Sequence, residues 1–212
     1  MSKVADFMIL NVLVLVFSIP VITIGPAVTA MYYVALKEVR GEEGYVVRDF
    51  WKAFRRNFRQ GVIIELIVIV IALVLGLDIM ASFRWSLEGS MAGTVFMYLN
   101  IGLAIVAAGS LMYLFPLLAQ FENTIRKTMF NSLLMAEKNL PQTIIMLIVT
   151  GMIVYAIASF PLFIIVLIGL YAYVQSYVMV RTFKPYMPKE EEHTDEFEVP
   201  GEDDDVWKGG ER

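Results

Sequence analysis

Three long stretches of this sequence contain no Asp, Glu, Lys or Arg: residues 7–36, 89–121 and 139–180. A helix that crosses the hydrocarbon core of a bilayer needs ~20 predominantly apolar residues, and each stretch exceeds that length. With 58% hydrophobic and only 18% charged residues, the 212-residue chain carries more apolar surface than one soluble domain buries. Lipid supplies no partners for backbone N–H and C=O groups, so a spanning chain is restricted to helices and closed barrels. Continuous apolar runs of this length select the first. The expected fold class is therefore all-α, a polytopic transmembrane helical bundle.

The first run poses a geometric problem. As one straight helix, residues 7–36 would measure ~45 Å, against a hydrocarbon core of ~30 Å. The run is also interrupted at its middle by "SIPVITIGPAVTA", which carries Pro20, Gly25 and Pro26. One geometry is a single tilted crossing broken near Pro20 to Pro26; the other is a hairpin of two short halves returning to its starting side. Halves of roughly sixteen residues fall short of the usual crossing length, which favours the broken crossing. Lys3, the apolar run and the Val28/Ala30 spacing also resemble a cleavable leader, but the run is overlong and proline-broken, so the segment is expected to stay attached.

Next, "GEEGYVVRDFWKAFRRNFRQ" opens on a glycine-flanked turn and continues with helical periodicity. Val47, Phe50, Trp51, Phe54 and Phe58 mark one face; Arg48, Lys52, Arg55, Arg56 and Arg59 form a basic stripe beside it. This is the pattern of a helix at a membrane surface, and interleaved aromatics beside membrane spans make lipid headgroups or a protein, not nucleic acid, the expected partner. A second crossing runs from about Gly61 to Phe83, and "RWSLEGS" is the short connector after it. A third lies within residues 91–118 and is expected to end at Pro116. A second amphipathic connector follows through Phe121, Ile125, Met129, Leu133 and Ala136. Residues 142–180 accommodate two passes reversing at Pro161, giving about five crossings.

Lys and Arg set the orientation. Residues 37–60 hold 7 basic residues, the second connector holds Arg126, Lys127 and Lys138, and Arg181 and Lys184 follow the last span. The opposite loops have essentially Arg84, so both connectors and the C-terminus are expected in the cytoplasm of a cell whose plasma membrane holds the bundle. The hairpin geometry for residues 7–36 would place the N-terminus on that side too.

A short echo links two parts of the chain: "RNFRQGVII" at 56–64 and "KNLPQTIIM" at 138–146. Each follows an amphipathic connector and leads into a span. A parallel duplication over 7–83 and 91–160, plus a last helix at 161–180, is one account, and ordinary interfacial helix-entry chemistry is the other. The membrane domain is expected to occupy residues 1–186. From Arg181 onward the chain holds 11 acidic and 5 basic residues, and residues 187–212 are expected to form a flexible acidic tail.

Candidate chemistry is sparse. The chain has no cysteine, which removes disulfides, thiolate metal sites and a cysteine nucleophile. Its one histidine, His193, falls in the tail, so no histidine base or metal ligand is expected in the membrane, and neither an enzyme nor a cofactor is expected. "GEEG" lacks the spacing and the Lys-Ser/Thr pair of a phosphate loop. Glu65 and Asp78 are the acidic residues inside a span, candidates by default because intramembrane charge is costly, although both sit near its ends. The helix break is the best site candidate: Pro20 and Pro26 free backbone carbonyls, Gly25 lies between them, and Ser18, Thr23 and Thr29 supply hydroxyls. Such a break is tolerated only against protein or a polar cavity. A packed kink satisfied by Asn11, Ser18 and Thr23 is the alternative. Gly102, Ala104, Ala108 and Gly109 are expected to permit close helix packing in the third span.

Asn11, the "SIPxxTxGPAxxA" core (Ser18, Ile19, Pro20, Thr23, Gly25, Pro26, Ala27, Ala30) and the "FxxAFRxNFxQ" helix (Phe50, Ala53, Phe54, Arg55, Asn57, Phe58, Gln60) resemble the YesL family of bacterial integral membrane proteins, a domain of unknown function. The resemblance covers about residues 5–185. It implies a polytopic membrane protein often encoded near carbohydrate uptake and degradation genes, with no established activity. Two roles are therefore expected: a transport-associated accessory or small carrier acting with a sugar permease component or as a homo-oligomer, or a sensor or scaffold using the basic helix at 45–60.

Overall fold

The computed structural model describes residues 3–42, 44–160 and 164–186. The Pro161 reversal, His193 and the acidic tail lie outside them. Among the described residues the chain is helical with no strand, the all-α bundle that the apolar runs require. The helices are α1 (Lys3–Phe17), α2 (Ile24–Val39), α3 (Val46–Leu87), α4 (Met91–Gln120), α5 (Ile125–Lys138), α6 (Leu140–Ser159) and α7 (Ile164–Phe183), with a 3-10 turn at Val21–Thr23 between α1 and α2. Three of them, α3, α4 and α6, are long and apolar enough to cross a membrane.

The break in the first run is a reversal. Asp6, near the start of α1, lines a recess with Lys37 and Glu38 from the end of α2 and with Arg48 and Asp49 from the start of α3. At the other end of α1, Phe17 packs on Phe54 at 5.0 Å, and the Thr23 hydroxyl donates to the Phe17 and Pro20 carbonyls at 2.6 and 2.7 Å. Leu10 and Val14 of α1 share one buried cluster with Ala30, Met31 and Val34 of α2. Residues 7–36 thus take the hairpin geometry, and the favoured single broken crossing gives way to it. Sixteen residues are short for a crossing but sufficient for a helical arm whose tip stays apolar: Ile19 is 77% exposed and Val21 65%.

Glycine and proline set the remaining boundaries. After α2, Gly41 has φ 75°, its N–H bonds the Glu38 carbonyl and the Glu42 N–H bonds that of Lys37, a Schellman closure that only glycine enters without strain. Between α3 and α4 the turn is Glu88–Ser90, with Gly89 at φ 81° and the Ser90 hydroxyl accepting from the Gly93 N–H. The basic connector and second crossing merge into one 42-residue helix, α3, because nothing between Gln60 and Gly61 stops it. At the echo, Pro141 stands where α3 has Arg59, and there the helix is interrupted: α5 ends at Lys138 and α6 restarts at Leu140. Pro116 does not end α4, which continues to Gln120.

Both echo segments share local geometry. Asn57 Nδ2 donates to Ala53 O and Asn139 Nδ2 donates to Met135 O, each at 3.1 Å across four residues. Gly61 packs on Pro26 of α2, and the matching Thr143 packs on Gly109 of α4. Ile64 and its counterpart Met146 are both fully buried.

Candidate functional site

The helix break and one of the intramembrane acids meet. Gly25 N–H, in the first turn of α2, donates to Glu65 Oε2 at 2.9 Å from 40 residues away. The approach depends on two glycines. A Cβ on Gly25 would lie 2.6 Å from the Gly61 carbonyl oxygen, and one on Gly61 would lie 2.9 Å from the Pro26 nitrogen. Backbone therefore touches backbone where α2 crosses α3, as small residues allow in membrane bundles.

The first turn of a helix leaves N–H groups without intrahelical partners and carries partial positive charge. Thr23 at the N-cap supplies no side-chain hydrogen bond to α2. Pro26 has no N–H to satisfy, and Glu65, only 6% exposed, supplies the acceptor for Gly25 from another helix. One turn further, the buried Thr29 hydroxyl donates back to the Gly25 carbonyl at 2.8 Å. Glu65 is thus a cap held inside protein, not an acid snorkelling toward the interface. Ser18 is half-buried and Pro20 exposed at the hairpin tip, so the six break residues divide between a tip and an interior clamp.

Asn11 does not serve the break. Its Nδ2 donates to Phe7 O at 3.0 Å, and its Oδ1 accepts from the Gly169 N–H, which ties α1 to α7. Asn11→Ala is expected to cost about 1 kcal/mol, a range typical of interhelical polar contacts in membrane proteins. Thermal unfolding in detergent measures it, and an unchanged midpoint would show that packing alone holds α1. Asp78 is exposed on α3 and forms no ion pair with Arg84 among the described residues.

The basic stripe is divided. Arg56, though exposed, is tied to the bundle: its guanidinium lies 5.4 Å from the Tyr33 ring centroid, Nη2 donates to Ala119 O at 3.3 Å, and Nη1 lies 3.8 Å from Glu122 Oε1. Arg55 sits over Trp51 at 5.8 Å, and Arg55 and Arg59 are exposed. Arg48 and Lys52 line an open recess of about 980 Å³ together with Asp6, Lys37, Glu38, Glu42 and Asp49. Lys37 Nζ donates to Asp49 Oδ2 at 2.8 Å. That hydrogen bond raises the Lys37 ammonium above its ordinary pKa against the opposing effect of desolvation, so Lys37 remains charged at neutral pH. On the aromatic face, Phe50 and Phe54 are buried under Phe17, while Val47, Trp51 and Phe58 stay exposed.

A polar network in the bundle interior escaped the sequence reading. Gln175 Nε2 donates to Met146 O and to Thr150 Oγ1, each at 3.1 Å, and Thr150 Oγ1 donates to Met146 O at 2.7 Å. The Tyr171 hydroxyl lies 3.3 Å from Thr150 Oγ1 and reaches Met112 Sδ at 3.7 Å, beside Tyr32. The available signal was Gln175, a buried amide inside a charge-free run. In the third span, Gly109 packs on Thr143, but a Cβ at Gly102 would meet nothing, so the small residues there do not form one contact stripe.

Three long apolar helices, a buried interhelical carboxylate cap and a basic end mark an all-α membrane protein. Residues 7–79 match the family described as "Protein of unknown function, DUF624". The chain is 28% identical over 141 residues to "Uncharacterized protein YesL" of Bacillus subtilis (strain 168), covering 65% of each chain, a little under two thirds of that relative's length. Both matches agree with the resemblance carried by residues 11–60, and both are to proteins of unknown function. No solved structure matches the chain.

Proposed function

We propose that this chain is a non-enzymatic accessory protein of the bacterial plasma membrane that acts by contact with another membrane protein, a sugar permease component being the partner the family resemblance implies. The observation that carries this reading is the closed state of the helix break. Gly25, Pro26, Gly61 and Glu65 fill the region where a small carrier would hold substrate, and the Gly25 N–H and the Thr29 hydroxyl there are bonded within the chain. That supports an accessory over a carrier. In this reading the open end of the α1–α2 hairpin, the residue 37–49 turn and the C-terminal end of α7 face the cytoplasm, in keeping with the Lys and Arg of residues 37–60 and with Arg181 and Lys184. Chemical crosslinking and mass spectrometry on native membranes test it. The expected result is a permease subunit crosslinked to this chain; transport of a sugar by the purified chain alone in vesicles would contradict it.

A second reading, a scaffold that recruits a cytoplasmic partner or lipid through α3, is favoured by one observation. Arg55 and Arg59 remain exposed while Arg48 and Lys52 edge the recess. Exchanging Arg55 and Arg59 for Ala should abolish recruitment and leave insertion intact. Arg56 is unsuitable for this test, because it also holds Ala119.

A further inference from the structure

Beyond the clamp, α3 and α4 extend as a pair whose apolar surface is largely uncovered, and between them runs a groove of about 460 Å³. Its walls are Val68, Ala72 and Gly76 of α3 and Ala104, Ala108 and Leu111 of α4. At one end it meets the amphipathic helix α5 through Met129 and Leu133. From Val68 to Ile79 the groove spans ~17 Å of helix, so 460 Å³ corresponds to a mean cross-section of ~27 Å², about a third of the ~80 Å² of the narrowest helix with its side chains. A hydrocarbon chain lies within that width, whereas a neighbouring helix would enter it with side chains alone.

The α5 end supplies charge. Arg126 precedes Met129 by three residues and Leu133 by seven, which places it on the groove-facing side of α5, one turn outward. Arg126 and its neighbour Lys127 are both exposed, and neither forms an ion pair among the described residues. The arrangement is an apolar slot that ends one turn below a cation, Arg126, on the groove side of an amphipathic helix. We infer that it binds one anionic phospholipid, with an acyl chain between α3 and α4 and the phosphate at Arg126.

Native mass spectrometry of the full chain in detergent tests this, with phosphatidylglycerol and phosphatidylcholine of identical acyl chains added in turn. The wild type is expected to retain phosphatidylglycerol about fivefold better, the effect of one basic residue near an anionic headgroup. Arg126→Glu should erase that preference. Gly76→Leu should remove retention of both lipids while the lipid-free chain melts no lower, because a Cβ there meets no atom within 4 Å and leucine is the better helix former. Equal retention of the two lipids by the wild type would overturn the assignment, as would undiminished retention by Gly76→Leu. A dimer peak lost in Gly76→Leu while lipid adducts persist would give the groove to a second copy and likewise overturn it.

Discussion

Gly25→Val is expected to leave little folded protein. The first added carbon falls 2.6 Å from the Gly61 carbonyl oxygen and 3.0 Å from Glu65 Cβ, and the nearest of these is backbone, which cannot rotate away. To relieve the clash α2 and α3 must separate, which also breaks the bond between the Gly25 N–H and Glu65 Oε2. Overpacking and the lost hydrogen bond together amount to about 3–5 kcal/mol, a large share of the 5–15 kcal/mol that holds an ordinary domain. Gly61→Val, pressing on Pro26 from the other side, should behave the same way. Gly102→Val is the control, since its Cβ meets nothing and the site is exposed. Size-exclusion profiles and melting midpoints in detergent report all three. Equal midpoints for Gly25→Val and Gly102→Val would refute close contact at the break.

The second large effect is at Glu65. Exchange for Leu removes the acceptor and leaves the Gly25 N–H buried at an uncapped helix start, at a cost of about 2 kcal/mol. Exchange for Gln keeps an oxygen that can accept the same N–H and should lose under about 1 kcal/mol. The difference between the two variants, measured by the same unfolding assay, isolates the hydrogen bond from the packing of the side chain. If Gln and Leu are equally destabilising, the carboxyl acts through something other than acceptance from Gly25.

The parts of this fold that were legible in the sequence follow from local chemistry. Charge-free runs required helices in lipid, and the glycine turn at 41–44 and the connector 84–90 fell where α2 and α3 end. Asn11, Thr23, Gly25 and Glu65 were each visible as polar or backbone-special residues out of place in an apolar run. Their pairing was not, because nothing local links Gly25 to a carboxyl 40 positions away or Asn11 to Gly169, 158 away. The hairpin was missed for a related reason. Crossing length argued against two short halves, yet α1 and α2 need not span alone when each is buried against α3 and α7. Arg56 and Asp78 mark the same limit. Periodicity places them on a stripe or in a span, but only tertiary packing brings the Arg56 guanidinium against Tyr33 and leaves Asp78 with no ion pair among the described residues.

The central claim, that residues 18–26 form a closed reversal, is tested most directly by the sidedness of α1. The sequence contains no cysteine, so a membrane-impermeant thiol reagent reports only introduced sites. Single-cysteine variants Asp6→Cys, Glu42→Cys and Glu88→Cys would be labelled in oriented membrane vesicles. The reversal predicts that positions 6 and 42 react from one face and position 88 from the other; position 6 reacting together with position 88 would contradict it.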